Sequence, residues 1–401
     1  MKVLFYIFLV IQAVIAFYLL QPFLLLCLHY LKKIIWPYKS PIIKKPLIDK
    51  DFDFAAIITA HEDTRFIPPL VDSLLKQKYQ NFHVYVVADA CNIDDLHFNS
   101  EKVSLLKPEK DFHAKIKSIH FAVSHFVKKH DALVIFDSDN LVHPNYLNVL
   151  NRYFQQGYRA VQTHMLSKNT STVYSRLDSI GHIYHTFLER QMRMELGFSA
   201  HILGLGIAID IELYKAIMYK DRLGGFDKKL QADIVKKIPR LAYAEEAIVY
   251  DEKVDDGKTL EKQRTRWIFT YFHYFKTNLD LFITGIKRLN VNLIYFGLIV
   301  LRPPLFIVLG SAFLFGLANL FIDPVYSLIW LLILVIYMVS FILIILTQSK
   351  QKGMGNALLF VPVFVFRQVK ALLKIKQAGK SFLKTEHTKV LYIEDILNET
   401  A

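Results

Sequence analysis

The chain has only two cysteines, Cys27 and Cys91, in 401 residues. Two such distant thiols make neither a disulfide framework nor a Cys-x-x-Cys metal or redox motif, and they are consistent with a reducing compartment. Glycine is also sparse, at 15 residues, and occurs in neither G-x-G-x-x-G nor G-x-x-x-x-G-K. That excludes a dinucleotide fingerprint and a P-loop. No segment interleaves basic and aromatic residues, so the formal charge of +13 does not point to nucleic acid. Internal repeats and low-complexity tracts are missing as well. The longest absence is of charge: no Asp, Glu, Lys or Arg lies between Lys2 and Lys32.

That run is long enough to cross ~30 Å of hydrocarbon as a helix and too long for a signal-peptide core, so residues 1–31 are expected to be a retained membrane anchor. Two further uncharged runs, Pro303 to Ile322 and Pro324 to Ser349, flank a turn at Asp323 and predict a transmembrane hairpin over 303–349. Residues 281–302 are expected to form interfacial helices. The shorter run Gly353 to Phe366, followed by Arg367, Lys370, Lys374 and Lys376, fits an interfacial or re-entrant helix in the tail 350–401 better than a span. Basic residues after the first span (32–45) and after the hairpin (349–352) place the middle of the chain in the cytoplasm of a multi-pass, plasma-membrane protein. The net positive charge then faces anionic lipid. The sequons at Asn169 and Asn398 would be inert there.

From about 50 to 280 the pattern is that of a globular α/β domain. Apolar strands at 54–60, 82–89, 132–136 and 158–165 alternate with helical spacing at 69–77, 115–129 and 146–157. This argues for a mostly parallel sheet covered on both faces, with ligands beyond the C-terminal strand ends. Three strands deliver polar residues there: His61-Glu62-Asp63, Asp89 and Asp137-Ser138-Asp139.

In an extended segment Asp137 and Asp139 point to one side, and two carboxylates at that spacing suit a hard divalent ion, Mg²⁺ or Mn²⁺, whose shell phosphate oxygens complete. The plainer reading is a turn or a helix cap. If 261–272 is a helix, Gln263, Arg266 and Trp267 share a face; Arg266 could clamp a pyrophosphate and Trp267 stack on a sugar, or the helix could simply lie on the membrane. Asp233, just before a helical pattern, reads as an N-cap on spacing alone. Lys115 could be a solvated charge, and His182 and His185 lack an evident third ligand.

Taken in order, these segments resemble the membrane-embedded branch of glycosyltransferase family 2, the processive type that includes cellulose, chitin and hyaluronan synthases. "ITAHED" (58–63) is similar to the opening strand motif, which places Ala60 and Asp63 at the uridine. "VVADAC" (86–91) places Asp89 at the uracil, and "AKIKSI" (114–119) places Lys115 near the phosphates. "DSD" (137–139) resembles the D-x-D motif. "GLG" (204–206) puts Gly204 in the acceptor-side segment. "LQAD" (230–233) stands where the family carries T-E-D, which makes Asp233 the base, although Ala232 replaces the usual Glu. "QRTRW" (263–267) is a full Q-x-x-R-W, with Gln263, Arg264, Arg266 and Trp267 among the substrate-binding positions.

The resemblance implies a GT-A, Rossmann-like domain with transmembrane helices at both ends. It implies an inverting, Mg²⁺- or Mn²⁺-dependent transfer from a UDP-sugar to a glycan. Asp137 and Asp139 would hold the metal, and a homo-oligomer or an accessory secretion subunit could complete the apparatus. Two other readings stand: single-sugar transfer to a membrane lipid, as in ceramide glucosyltransferases, and an inactive nucleotide-sugar-binding subunit. His61 and Glu62 depart from the family's usual Tyr and Asn.

Overall fold

The computed structural model describes residues 2–217, 225–349, 351, 353–378 and 388–400. Of the segments singled out above, residues 1, 218–224, 350, 352, 379–387 and 401 lie outside them.

The chain opens with a long helix, α1 (Lys2–Ile35), and enters the α/β domain at β1 (Phe54–His61). There follow α2 (Ile67–Leu75), β2 (Phe82–Asp89), β3 (Val103–Leu106), α3 (Lys115–Ser124), β4 (Ala132–Asp137), β5 (Leu141–Val142), α4 (Tyr146–Gln155) and β6 (Ala160–Ser167). Next come α5 (Val173–Thr186), a single π-helical turn (Phe187–Gln191), α6 (Met192–Leu196), β7 (Ile207–Asp210), α7 (Ile211–Ile217), α8 (Phe226–Lys237), β8 (Ala242–Asp251) and α9 (Gly257–His273).

All eight strands form one sheet in the order β3-β2-β1-β4-β7-β6-β8-β5. The expected parallel arrangement holds for β3-β2-β1-β4 and for β6-β8. It fails at β7, which enters antiparallel between β4 and β6, and at β5, which runs antiparallel to β8. Both are too short to carry a periodic signal. The parallel strands are apolar along their length because helices cover both faces: Phe54 to Ile58, Val84 to Ala88 and Ala132 to Phe136 are almost wholly buried. β2 lies to one side of β1 and β4 to the other, so their C-terminal ends, at Asp89, His61 and Asp137, border one crevice.

Beyond the domain come α10 (Phe275–Lys287), α11 (Val291–Val300), α12 (Leu305–Asn319), α13 (Pro324–Gln348), α14 (Met354–Ala357), α15 (Val361–Leu373), α16 (Ile375–Ala378) and α17 (Ile393–Thr400). Among the described residues three segments are long and apolar enough to cross a membrane: Phe5–Ile35, Pro324–Gln348 and Met354–Leu373. The pair α11 and α12, bent by 82°, could make a fourth as one broken span. α1, α12 and α13 pack together; Gln12 accepts hydrogen bonds from Asn319 (2.8 Å) and Trp330 (2.7 Å) inside that bundle. Leu328, Leu331, Leu332 and Val335 point outward, as lipid-facing residues do. The segment 354–373, expected as interfacial, qualifies as a span by length and composition. However, α15 lies along α9 and is bound to it through Arg367 and Lys374, which approach Glu261 at 4.0 and 2.5 Å.

Candidate active site

At the end of β4 the chain turns through Asp137, Ser138 and Asp139. Asn140 fixes the turn: its side-chain oxygen accepts the Asp137 N–H (3.0 Å), and its amide donates to Asp251 (3.1 Å). Lys168, buried at the end of β6, donates to the Asp139 carbonyl (2.6 Å). Burial pulls the Lys168 ammonium below its ordinary pKa, and the carboxylates of Asp139, Glu252 and Asp251 push back.

The basic partner that the local sequence lacks arrives from another element. Lys115, the first residue of α3, donates to Asp137 (2.6 Å) and to the Gly204 carbonyl (2.9 Å). Gly204 in turn packs on Asp227: a Cβ on Gly204 would stand 3.4 Å from the Asp227 Cβ. Arg266, on α9, feels the carboxylates of Asp137 and Asp227, which offset part of the lowering that burial imposes on its pKa. Lys115, Asp137, Asp139, Gly204, Asp227 and Arg266 thus converge at the C-terminal edge of the sheet. The segment 200–206 reaches there because Gly206 passes β6 with no side chain; a Cβ there would lie 2.5 Å from Thr163 Oγ1.

Asp137 and Asp139 present hard oxygen donors at a strand end. That donor set fits Mg²⁺ or Mn²⁺.

The other sequence-selected residues divide. Trp267 is exposed beside Arg266. Gln263 is half-buried on the same helix, its side-chain oxygen without a partner among the described residues. Ala60 is buried in β1, opposite Ala88. Asp63 is held by Arg65, whose Nε and Nη2 donate to its two oxygens (3.0 and 2.7 Å). The Asp89 carboxylate accepts the backbone N–H of Phe112 (2.6 Å) and of His113 (2.8 Å), so it organises the loop before α3. Arg264 turns away: it is buried, ion-paired with Asp178 on α5, and stacked over Trp267 and Phe364. Its place is between α9, α5 and α15.

Among the described residues no hydrogen bond or ion pair joins Asp233 to this cluster. α8 begins at Phe226, seven residues before it, so Asp233 is not a helix cap either. Six residues beyond Asp227, at about 100° each, it lies about 120° around the helix from it. There it pairs with Lys229 (2.7 Å) and lines a cavity of about 470 Å³ with Lys236, Lys237 and Arg288. Asp227, a third acid at this edge, was not selected from the sequence. Its signal was available: an acidic residue in the first turn of the helix that follows Gly224-Gly225. His182 and His185 share no ligand position: His182 bonds the Met165 carbonyl and His185 bonds Glu189.

A family model described as "Glycosyltransferase like family 2" matches residues 52–270. A mannosyltransferase of Pyrobaculum calidifontis, PcManGT, solved with GDP-Man and Mn²⁺, aligns over 90% of this chain and 98% of its own at 15% identity and a TM-score of 0.50. TarS of S. aureus aligns over 50% of this chain and 36% of its own at 16% identity and a TM-score of 0.37, so the match spans about a third of that protein. No curated protein sequence matches. The sheet and its helices have the GT-A fold of nucleotide-sugar transferases, with apolar helices before and after it. The chain belongs to glycosyltransferase family 2.

Proposed function

We propose that the protein is an inverting, metal-dependent hexosyltransferase of the processive type, which moves a sugar from a UDP-sugar to a growing glycan at the plasma membrane. The convergence of Lys115, Asp137, Gly204, Asp227 and Arg266 on one sheet edge carries this reading. Asp137 and Asp139 hold Mg²⁺ or Mn²⁺, which when bound neutralises charge on the donor diphosphate. Lys115 and Arg266 add fixed positive charge for the departing UDP. Asp227, in the first turn of α8, accepts the proton of the acceptor hydroxyl as that oxygen attacks the anomeric carbon. Attack from the face opposite UDP inverts the centre. The acceptor's C–OH loses its proton to Asp227, the new glycosidic bond forms, and UDP leaves with the electron pair of the broken C–O bond. Asp227 stands here in place of Asp233 because it is the acid that touches Gly204 and acts on Arg266. Trp267, exposed beside Arg266, holds the acceptor sugar by stacking.

A second reading is single-sugar transfer to a membrane lipid. The small bundle of α1, α12 and α13 favours it, since a polymer channel calls for more helices. Incubation of purified protein with radiolabelled UDP-glucose, UDP-N-acetylglucosamine or UDP-galactose, with Mg²⁺ or Mn²⁺, separates the two. A ladder of products supports the polymerase, and one chloroform-soluble product supports the lipid enzyme. If no nucleotide sugar releases UDP, the enzyme reading falls and a nucleotide-sugar-binding subunit replaces it.

A further inference from the structure

The turn after β1 and the loop before α3 meet at a cluster of two histidines and a glutamate, to which the proposed mechanism assigns no role. His61 Nε2 lies 2.8 Å from His113 Nδ1, and His61 Nδ1 lies 3.9 Å from a Glu62 carboxylate oxygen. One ligand atom from each of His61, Glu62 and His113 falls within 4.8 Å of the other two. The backbone holds this arrangement at a cost. Glu62 (φ 61°) and His113 (φ 49°) are two of only four non-glycine residues with positive φ among the described residues. Such conformations are strained for non-glycine residues and persist where surroundings impose them. Here Asp89 imposes them: its carboxylate takes the His113 N–H, and its carbonyl takes the Glu62 N–H (3.2 Å). A buried aspartate therefore presents the ligand-bearing residues of both loops to one point in solvent.

Two imidazoles and one carboxylate are the donor set of borderline first-row ions, foremost Zn²⁺, while Mg²⁺ and Mn²⁺ prefer all-oxygen sites such as Asp137 and Asp139. Two nitrogens bound tetrahedrally at ~2.05 Å stand about 3.4 Å apart, so the rings need separate by only about 0.6 Å to admit an ion in place of the shared proton. We propose that His61, Glu62 and His113 form a second cation site, selective for Zn²⁺, that clamps the turn after β1 to the loop carrying Lys115. The fourth position is open to water. The site shares no ligand with the candidate metal site at Asp137 and Asp139.

Calorimetric titration of ZnCl₂ into tag-free, metal-stripped full-length protein in detergent, with millimolar Mg²⁺ present, tests this. The expected result is one Zn²⁺ per chain. His61→Ala and His113→Ala should each weaken it at least tenfold, and Glu62→Gln less, while Asp137→Asn/Asp139→Asn should leave it intact. A second measurement needs no variant: Zn²⁺ should protect His61 and His113 of the wild type from acylation by diethyl pyrocarbonate, read by peptide mass spectrometry. Zn²⁺ binding that is unchanged in His61→Ala/His113→Ala, loss of the site in the Asp137→Asn/Asp139→Asn protein, or acylation of both histidines at the same rate with and without Zn²⁺ would each overturn the proposal.

Discussion

The two aspartates of α8 offer the sharpest test of the mechanism. Asp227→Asn removes a proton acceptor and keeps its size and its place against Gly204. Loss of a general base lowers turnover about 10²- to 10⁴-fold, or about 3–5.5 kcal/mol in the barrier. The structural cost is far smaller. Asp227 lies in the first turn of α8 with Lys228 3.5 Å away, so loss of its charge removes a helix-dipole contribution of ~0.3–1 kcal/mol. Asp233→Asn breaks one partly exposed pair with Lys229, of about 0.3–0.5 kcal/mol, and should leave turnover near the wild-type value. The assay is metal-dependent UDP release by each variant in detergent micelles, alongside thermal unfolding to show that both fold and a UDP-binding titration to show that both retain the nucleotide. Wild-type turnover by Asp227→Asn, or an equal loss in Asp233→Asn, would refute the assignment.

Other perturbations separate scaffold from chemistry. Arg264→Ala leaves Asp178 buried and unpaired, so it should destabilise the protein by about 3–5 kcal/mol, whereas Arg266→Ala should lower turnover with little change in melting temperature. Gly206→Ala forces a Cβ to within 2.5 Å of Thr163 Oγ1 at a φ of +59°, and should cost about 1–3 kcal/mol in denaturant unfolding. Burial, helped by the charges of His130 and Lys128, pushes His83 down to about 4 from 6.5. The unfolded chain therefore binds a proton that the folded one refuses. Stability contributed by the neutral ring is complete above pH 6.5 and is lost down to about pH 4, by up to about 1.36 kcal/mol per pH unit, and His83→Gln should flatten that slope in pH-dependent melting. Chelation with EDTA should abolish UDP release, Mg²⁺ or Mn²⁺ should restore it, and Asp137→Asn should raise the metal concentration needed.

The sequence made the parallel half of the fold legible because β1, β2 and β4 are largely apolar runs that end at His61, Asp89 and Asp137. β7 and β8 were not, since β7 has four residues and β8 mixes Glu245 and Glu246 into its length. The candidate site was legible where position follows from strand geometry, as at Asp137, or from helix spacing, as at Arg266. It was not legible where the start of a helix decides which side a residue faces. Spacing placed Asp233 just before α8; the helix starts at Phe226, which puts Asp227 in its first turn and Asp233 in its interior. Arg264, within the same Q-x-x-R-W segment, is claimed by Asp178, 86 residues away, a partner that no local pattern reveals.

Lys115 touches both halves of the site at once. An ammonium has three donors, and here one goes to Asp137 and one to the carbonyl of Gly204. On the proposed reading, a diphosphate that draws on this group would loosen its hold on the Gly204 segment, and an acceptor that shifts Gly204 would free charge for the diphosphate. Affinity for either substrate would then depend on the presence of the other, by the same factor in both directions. Lys115→Met would sever that reciprocity and leave two sites that fill independently.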